Sequence, residues 1–278
     1  MNEKKTISKL TKGIDSPALL DYATEEHGEY WRGHEDRLDH LIKTVVLEIE
    51  SLDQAASKPI QFDHEKPKTY KAIWAISGAG TYQESITDLT GDAIYKDKTW
   101  AHNSDKKRID HAIKIIREIS LAVSGLSEED QKSLTEEQVE NIIREFGPYL
   151  IYNGVKIQIE ALRSAVRIGK LNFPEEKLCI PDGTITCTID QVTDLKFPNI
   201  EFNIGDIIGV VTHSPHFPRV LRMANKHKSF PRGATIQAFP IKLDHLEDEI
   251  EFTNAELRGI IGYISKDHAE FAPYSYII

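Results

Sequence analysis

Cysteine is scarce in this chain, with only Cys179 and Cys187 among 278 residues. Two cysteines build no disulfide framework, and their spacing is not the CxxC of zinc or redox sites. Both read as small buried apolar residues. Long apolar runs are also missing. The best is "DIIGVV", Asp206 to Val211, far short of a membrane span or a signal-peptide core, and the start "MNEKKTISKL" is polar. A soluble, cytoplasmic protein with no membrane partner is expected. Positive charge is in deficit, with Lys+Arg 34 against Asp+Glu 44 and a net charge of -10. No basic tract interleaved with aromatics offsets that field, which excludes nucleic acid as an expected partner. GxSxG, HExxH and GK[ST] are absent too, so a nucleophile elbow, a zincin helix and a Walker loop are not expected.

What is present is a large apolar fraction, 40%, in a chain long enough to bury a substantial core. The first 58 residues read as amphipathic helix. "SPALLDYATEEHGEYW" opens with Ser16 as N-cap and Pro17 in the first turn, and "DRLDHLIKTVVLEIESL" repeats Leu38, Leu41, Ile42, Val45, Val46 and Ile49 on one face. "SKPIQFDHEKPKTY", Ser57 to Tyr70, has two prolines and no periodicity, and reads as a connector. The organisation expected is an N-terminal helical segment, 1–58, and an α/β domain, 70–278.

From residue 70 onward, short apolar runs alternate with helical patterns. The runs are "KAIWAI" (71–76), "PYLIY" (148–152), "KLCI" (177–180), "DIIGVVT" (206–212) and "ATIQAF" (234–239). "SDKKRIDHAIKIIREISLAV" gives a helix with Ser104 as cap and a stripe of Ile109, Ala112, Ile113, Ile116, Ile119 and Val123. Thr135 and Gln138 have capping-box spacing at the next helix. Further helices are expected at "GVKIQIEALRSAVRIG", after Pro218, and at "TNAELRGIIGYISKDHAEF". Strands separated by helices of this length predict a three-layer α/β/α fold with a mainly parallel sheet covered on both faces. The acidic "DHLEDEIEF", Asp244 to Phe252, reads as a solvated loop.

Parallel sheets of this kind take ligands at the carboxyl ends of their strands. After the first run, "ISGAGTY" offers Ser77, Gly78, Gly80 and Thr81 as either an anion cradle or a plain tight turn. It is no dinucleotide fingerprint, because Gln83 stands where the third glycine of GxGxxG would be. After "PYLIY", Asn153 and Gly154 form a turn pair, and Glu160 follows either as a ligand-binding carboxylate or on a solvated helix face.

"VVTHSPHFPRVLRM", Val210 to Met223, carries more information. Its prolines lead one to expect Ser214 and Phe217 extended and a stiff strand-to-helix loop with Pro218 in the first turn. Arg219 then opposes the positive end of the helix dipole, at a cost of about 0.3–1 kcal/mol. An anionic ligand or a buried carboxylate would relieve it. His213 and His216 flank the spot as acid/base or anion-binding candidates; HxxH alone does not complete a metal site.

Taken in order, these motifs resemble the YdcF/SanA/ElyC-like family over about residues 70–265. The glycine-bearing loop is similar to "ISGAGTY", and the Asp/Arg-bearing helix start to "SDKKRIDHA" through Arg108 and Asp110. The Ser-Gly-Gly turn with its acidic residue is similar to "YNGVKIQIEA", pointing to Asn153, Gly154 and Glu160, and an Asn-Thr element followed by an amide is similar to "CTIDQ", with Thr188 and Gln191. The Val-Thr, His, Arg element is matched by Thr212, His216 and Arg219. The departures are Cys187 in place of Asn, Tyr152-Asn153-Gly154 in place of Ser-Gly-Gly, and a longer insertion between the first two strands.

The resemblance implies a Rossmann-like fold and a small-molecule ligand, with S-adenosylmethionine entering by resemblance only. The expectation is a binding protein for an anionic or nucleotide-like molecule, with or without group transfer or hydrolysis. In it the Gly78/Gly80 loop holds the ligand, Arg108 and Arg219 neutralise it, and His216 with His213 exchanges protons. A non-catalytic ligand sensor and a protein-interaction module are the alternatives.

Overall fold

In a computed structural model, the chain is described over residues 9–60, 62, 67–77, 105–181, 185 and 187–278, apart from the side chains of residues 68 and 157. Ser104 and the loop residues Gly78, Gly80 and Thr81 lie outside the described residues. Three helices come first: α1 (Lys9–Gly13), α2 (Ser16–Trp31) and α3 (Glu35–Ala56). Strand β1 (Tyr70–Ala75) is followed in the described chain by α4 (Asp105–Ser124), α5 (Glu128–Lys132) and α6 (Glu136–Phe146). Then come β2 (Tyr149–Tyr152), α7 (Lys156–Arg167), β3 (Leu178–Cys179) and α8 (Thr188–Thr193). The chain continues through β4 (Ile207–His213), α9 (Phe217–His227), β5 (Thr235–Ile241) and α10 (Leu246–Ser265). The five strands are parallel and flanked by helices, a three-layer α/β/α Rossmann-like arrangement with N-terminal helices.

Strand order is β3-β2-β1-β4-β5. The chain builds outward from β1 through β2 to β3, then returns to lay β4 on the other side of β1. The order therefore reverses between β1 and β4, which is where such sheets open a crevice at their carboxyl ends. Every residue of β4 is buried, as a strand covered on both faces requires. Gly209 within it is there for close approach: a Cβ would stand 2.5 Å from Ile73 Cδ1 and 2.7 Å from Phe239 Cε2. The β1–β4 register shifts between Tyr70 and Ala72. Lys71 sits at that irregularity and reaches Asp206 at 4.0 Å.

Two compact units follow from the contacts, and neither is continuous in sequence. One comprises 1–58, 213–228 and 240–274; the other comprises 59–212, 229–239 and 275–278. In the second unit, α4 packs on β1 and β2 through Ile109, Ala112, Ile115, Ile116 and Ile119. The stripe differs from the periodic reading in that Ile115 is buried, while Ile113 and Val123 are only half-buried. The capping box at Thr135 and Gln138 forms as its spacing predicts. Burial raises the Cys179 thiol to about 11, the behaviour of an inert core residue.

In the first unit, α3 buries Leu38, Leu41, Ile42, Val45, Val46 and Ile49, the whole periodic stripe. It packs with α2, α9 and α10. The cap of α2 is Asp15 rather than Ser16: its carboxylate accepts from Ala18 N at 3.0 Å. Arg222 of α9 has a fully buried side chain and donates to both oxygens of Glu48 on α3, at 2.7 and 2.9 Å. It also donates to the carbonyls of Phe271 and Pro218. The segment 244–252 is not a solvated loop. From Leu246 on it is the start of α10, with Glu247, Asp248 and Glu249 in the first turn where the helix dipole favours acids.

Within that turn Glu249 is buried, and its pKa rises to about 8 through burial first, then through a hydrogen bond and like charge from Asp53 on α3. Its folded pKa lies above its ordinary 4.5, so between these values the folded state holds a proton that the unfolded state has lost. The stability contributed is complete below about pH 4.5 and is lost as pH rises through about 8. Urea denaturation across this window should show stability falling with pH in the wild type and a flatter profile for Glu249→Gln. Glu48→Ala leaves Arg222 charged and buried, so a loss of about 3–5 kcal/mol is expected in the same assay.

Candidate functional site at the strand ends

In the second unit, polar side chains stand just past β1, at Ser77, and at and just past the end of β2, at Tyr152 and Asn153, and groups of the neighbouring helices bond them. Asp105 and Arg108, one turn apart at the start of α4, are almost completely buried. Arg108 Nη1 donates to Asp105 Oδ1 at 3.2 Å and to the carbonyl of Ile76, just past β1, at 3.0 Å. Tyr152, the last residue of β2, donates to Asp105 Oδ2 at 2.9 Å. Burial, then the Asp105 charge and hydrogen bond, hold the Tyr152 phenol well above its ordinary value, so it remains a donor.

A second chain of bonds is made of amides and hydroxyls. Trp74 Nε1 donates to Asn153 Oδ1 at 2.8 Å, and Asn153 Nδ2 donates to the carbonyl of Gln191 at 2.6 Å. Gln191 Nε2 donates to Ser77 Oγ at 2.7 Å, and Ser77 Oγ donates to Gln158 Oε1 at 3.2 Å. Gln158, third residue of α7, also accepts from Val155 N at 2.9 Å and so caps its own helix. Gly154 is needed for this closeness. A Cβ there would lie 2.6 Å from Gln158 Oε1 and 2.8 Å from the Tyr152 hydroxyl.

On the other side of β1, Ala75 pairs with Val211, and Ile76 N donates to the Val211 carbonyl at 3.1 Å. Thr212 therefore stands beside Ile76, one residue short of Ser77, at the β1–β4 reversal. Thr212 Oγ1 and Gln191 Oε1 are buried with no hydrogen-bond partner among the described residues. Buried polar groups are rarely left so, and each costs about 1–3 kcal/mol.

The structure thus brings together Ser77, Arg108, Asn153, Gly154, Gln191 and Thr212 of the expected residues. Thr188 is buried at the start of α8, where Asp190 accepts from Cys187 N at 3.2 Å. Glu160 is exposed on α7, 3.9 Å from Lys156 Nζ, on the solvated face. Arg108 is held by Asp105 and a carbonyl. Asp105, Tyr152, Gln158 and Trp74 are members that the sequence reading did not single out. Asp105 was visible three residues before Arg108, and Gln158 at the third position after a turn.

His213, His216 and Arg219 belong to the first unit and form a separate cluster there. His216 Nδ1 lies 2.9 Å from Glu256 Oε1 on α10, and Arg219 Nε lies 2.7 Å from Glu256 Oε2. Phe252 stacks on His216 and meets His213 edge-on. Gly259 leaves room for this packing, since a Cβ would lie 3.1 Å from Arg219 Cδ and Nη1. The misplaced cation at the start of α9 is therefore met by a buried carboxylate from within the unit.

Fold and cluster define an α/β/α Rossmann-like protein with an amide and hydroxyl network at its strand ends. Compared with protein-family models, curated proteins and solved structures, the chain finds no match.

The network makes a prediction of its own. Asp105→Ala strands Arg108 without its carboxylate and should cost about 3–5 kcal/mol. Tyr152→Phe removes one bond to a charged acceptor and should cost about 1.5–3 kcal/mol. Denaturant unfolding of both variants checks the order of these losses.

Proposed function

We propose that the chain is a cytoplasmic small-molecule-binding protein that takes a nucleotide-like ligand at the carboxyl ends of β1 and β4. One observation carries the reading: at the reversal of strand order, Thr212 Oγ1 and Gln191 Oε1 are buried and have no hydrogen-bond partner among the described residues. Gln191 Oε1 can only accept, so it calls for a ligand O–H or N–H, as on a ribose or a base edge. Thr212 can serve either way. The resemblance to the YdcF/SanA/ElyC-like family adds S-adenosylmethionine to the candidates.

Binding is favoured over catalysis by the company Ser77 keeps. Among the described residues it bonds the amides of Gln158 and Gln191 and the Tyr152 phenol, none of them a base that would activate it. Arg108 and Arg219 both face carboxylates of the chain itself, which favours a ligand recognised by neutral donors and acceptors over one held by cations.

Thr212→Val separates site from scaffold by sign. Replacing an unpartnered hydroxyl with a methyl of the same shape should stabilise the free protein by about 1 kcal/mol. The same variant should lose the thermal shift that a ligand gives the wild type, about 2.7 kcal/mol at 100 times its dissociation constant. The panel is nucleotides, S-adenosylmethionine and sugar phosphates, read by differential scanning fluorimetry. A destabilised free variant, or an undiminished shift, counts against the site.

A further inference from the structure

The first unit contains an open cavity of about 460 Å³ whose lining includes none of the residues of the clusters described above. Helices α1, α3 and α10 contact one another around it, and the chain after β5 completes its wall. Its charged lining is Glu50 and Asp53 from α3, Glu249 from α10, Lys242 and Asp244 from the segment between β5 and α10, and Lys9 from α1. Four acids face two bases. Leu10, Leu243 and Leu246 supply apolar wall.

Asp53 and Glu249 are both more than nine-tenths buried and face each other. Two ionised carboxylates cannot share such a space, and Glu249 answers by keeping its proton to about pH 8. Lys242 acts against that rise, yet burial, Asp53 and Glu50 outweigh it. Asp53 Oδ1 is buried and, among the described residues, has no donor other than the carboxyl proton of Glu249. Once Glu249 ionises, Asp53 is an acceptor in need of another donor, in a cavity whose excess charge is negative.

We propose that this cavity binds a small primary alkylamine, its ammonium group set between Asp53 and Glu249 and its methylenes against Leu10, Leu243 and Leu246. An ammonium has three N–H donors and no acceptor, which suits a carboxylate pair better than a hydroxyl does. A metal ion is the poorer occupant: among the described residues no group of three or more His, Cys, Asp or Glu is placed to hold one. The cavity is also larger than a bare ion needs. On binding, the Glu249 carboxyl loses its proton to solvent and the ammonium takes its place, so charge is conserved in the site.

The proton makes the inference testable. 1,4-Diaminobutane and n-butylamine are titrated into the full chain by calorimetry at pH 6, 7 and 8.5, in buffers of different ionisation enthalpy. The expected result is release of about one proton per amine at pH 6 and 7, and an affinity that rises about tenfold from pH 6 to 7 and flattens by 8.5. Glu249→Gln, which keeps the shape and fold but not the titration, should weaken binding at pH 8.5 and abolish proton release; circular dichroism checks its fold. Asp53→Asn should weaken binding at every pH. The proposal is overturned if neither amine binds at millimolar concentration, if Glu249→Gln binds with unchanged proton release, or if magnesium or calcium stabilises the protein where the amines do not.

Discussion

Asp105 and Arg108 take both of their charges out of water at the start of α4, and what they bind there fixes the ends of two strands. Arg108 holds the main chain just past β1, and Asp105 holds the phenol that closes β2. Desolvating two charges costs so much that such a pair adds little net stability over a well-packed apolar substitute. What it does impose is geometry, because a shift of α4 disturbs the charge-assisted bonds of two buried groups at once. The neutral network depends on that restraint. Ser77 follows Ile76, Asn153 follows Tyr152, and each can reach Gln191 only while the two strand ends stay where the ion pair holds them.

The first unit repeats the logic with two arginines on one short helix. Arg219 and Arg222 lie three residues apart on α9, yet they take their carboxylates from different helices, Glu256 on α10 and Glu48 on α3. The pairing gives α9 a fixed rotation, since turning it would strand one guanidinium or the other. It also changes what the positive charge at the head of α9 means. A cation opposing the helix dipole costs about 0.3–1 kcal/mol, a sum one buried charge-assisted bond exceeds. The anion it needs is already present in the chain, so the charge alone is no argument for a ligand. What favours a ligand instead is the buried acceptor and hydroxyl that have no partner among the described residues.

Much of the fold was legible because apolar periodicity is local. The α3 stripe, the β4 run and the Thr135–Gln138 box are all decided within a few residues, and all appear where the pattern puts them. Small slips occurred where two residues compete for one role on local grounds. Asp15 and Ser16 can both cap α2, and Ile113 and Ile115 are both apolar beside the same stripe. Pairings were not legible, because Arg222 meets a carboxylate 174 residues away and Asn153 a carbonyl 38 away. Nothing in composition or spacing selects Glu48 or Glu256 from the other acids. Of the candidate site, the residue types at the strand ends were readable, while the bonds that hold them, through Asp105, Tyr152 and Gln158, depended on the sheet being assembled.

The segment 244–252 shows why charge density misleads when it is read without period. Leu246, Ile250, Thr253 and Leu257 recur at helical spacing through it, and the acids between them hid that pattern. Its three first-turn acids are alike in sequence but not in consequence. Glu247 and Asp248 are exposed, where the dipole favours their charge and water solvates it. Glu249, one residue further round the helix, turns inward to Asp53, and there burial and a like charge outweigh the dipole and raise its pKa to about 8. A rotation of about 100° per residue separates a solvated charge from a buried titrating one. The physical meaning of an acidic run is therefore set by helical phase, and only the residue whose phase points inward acquires chemistry.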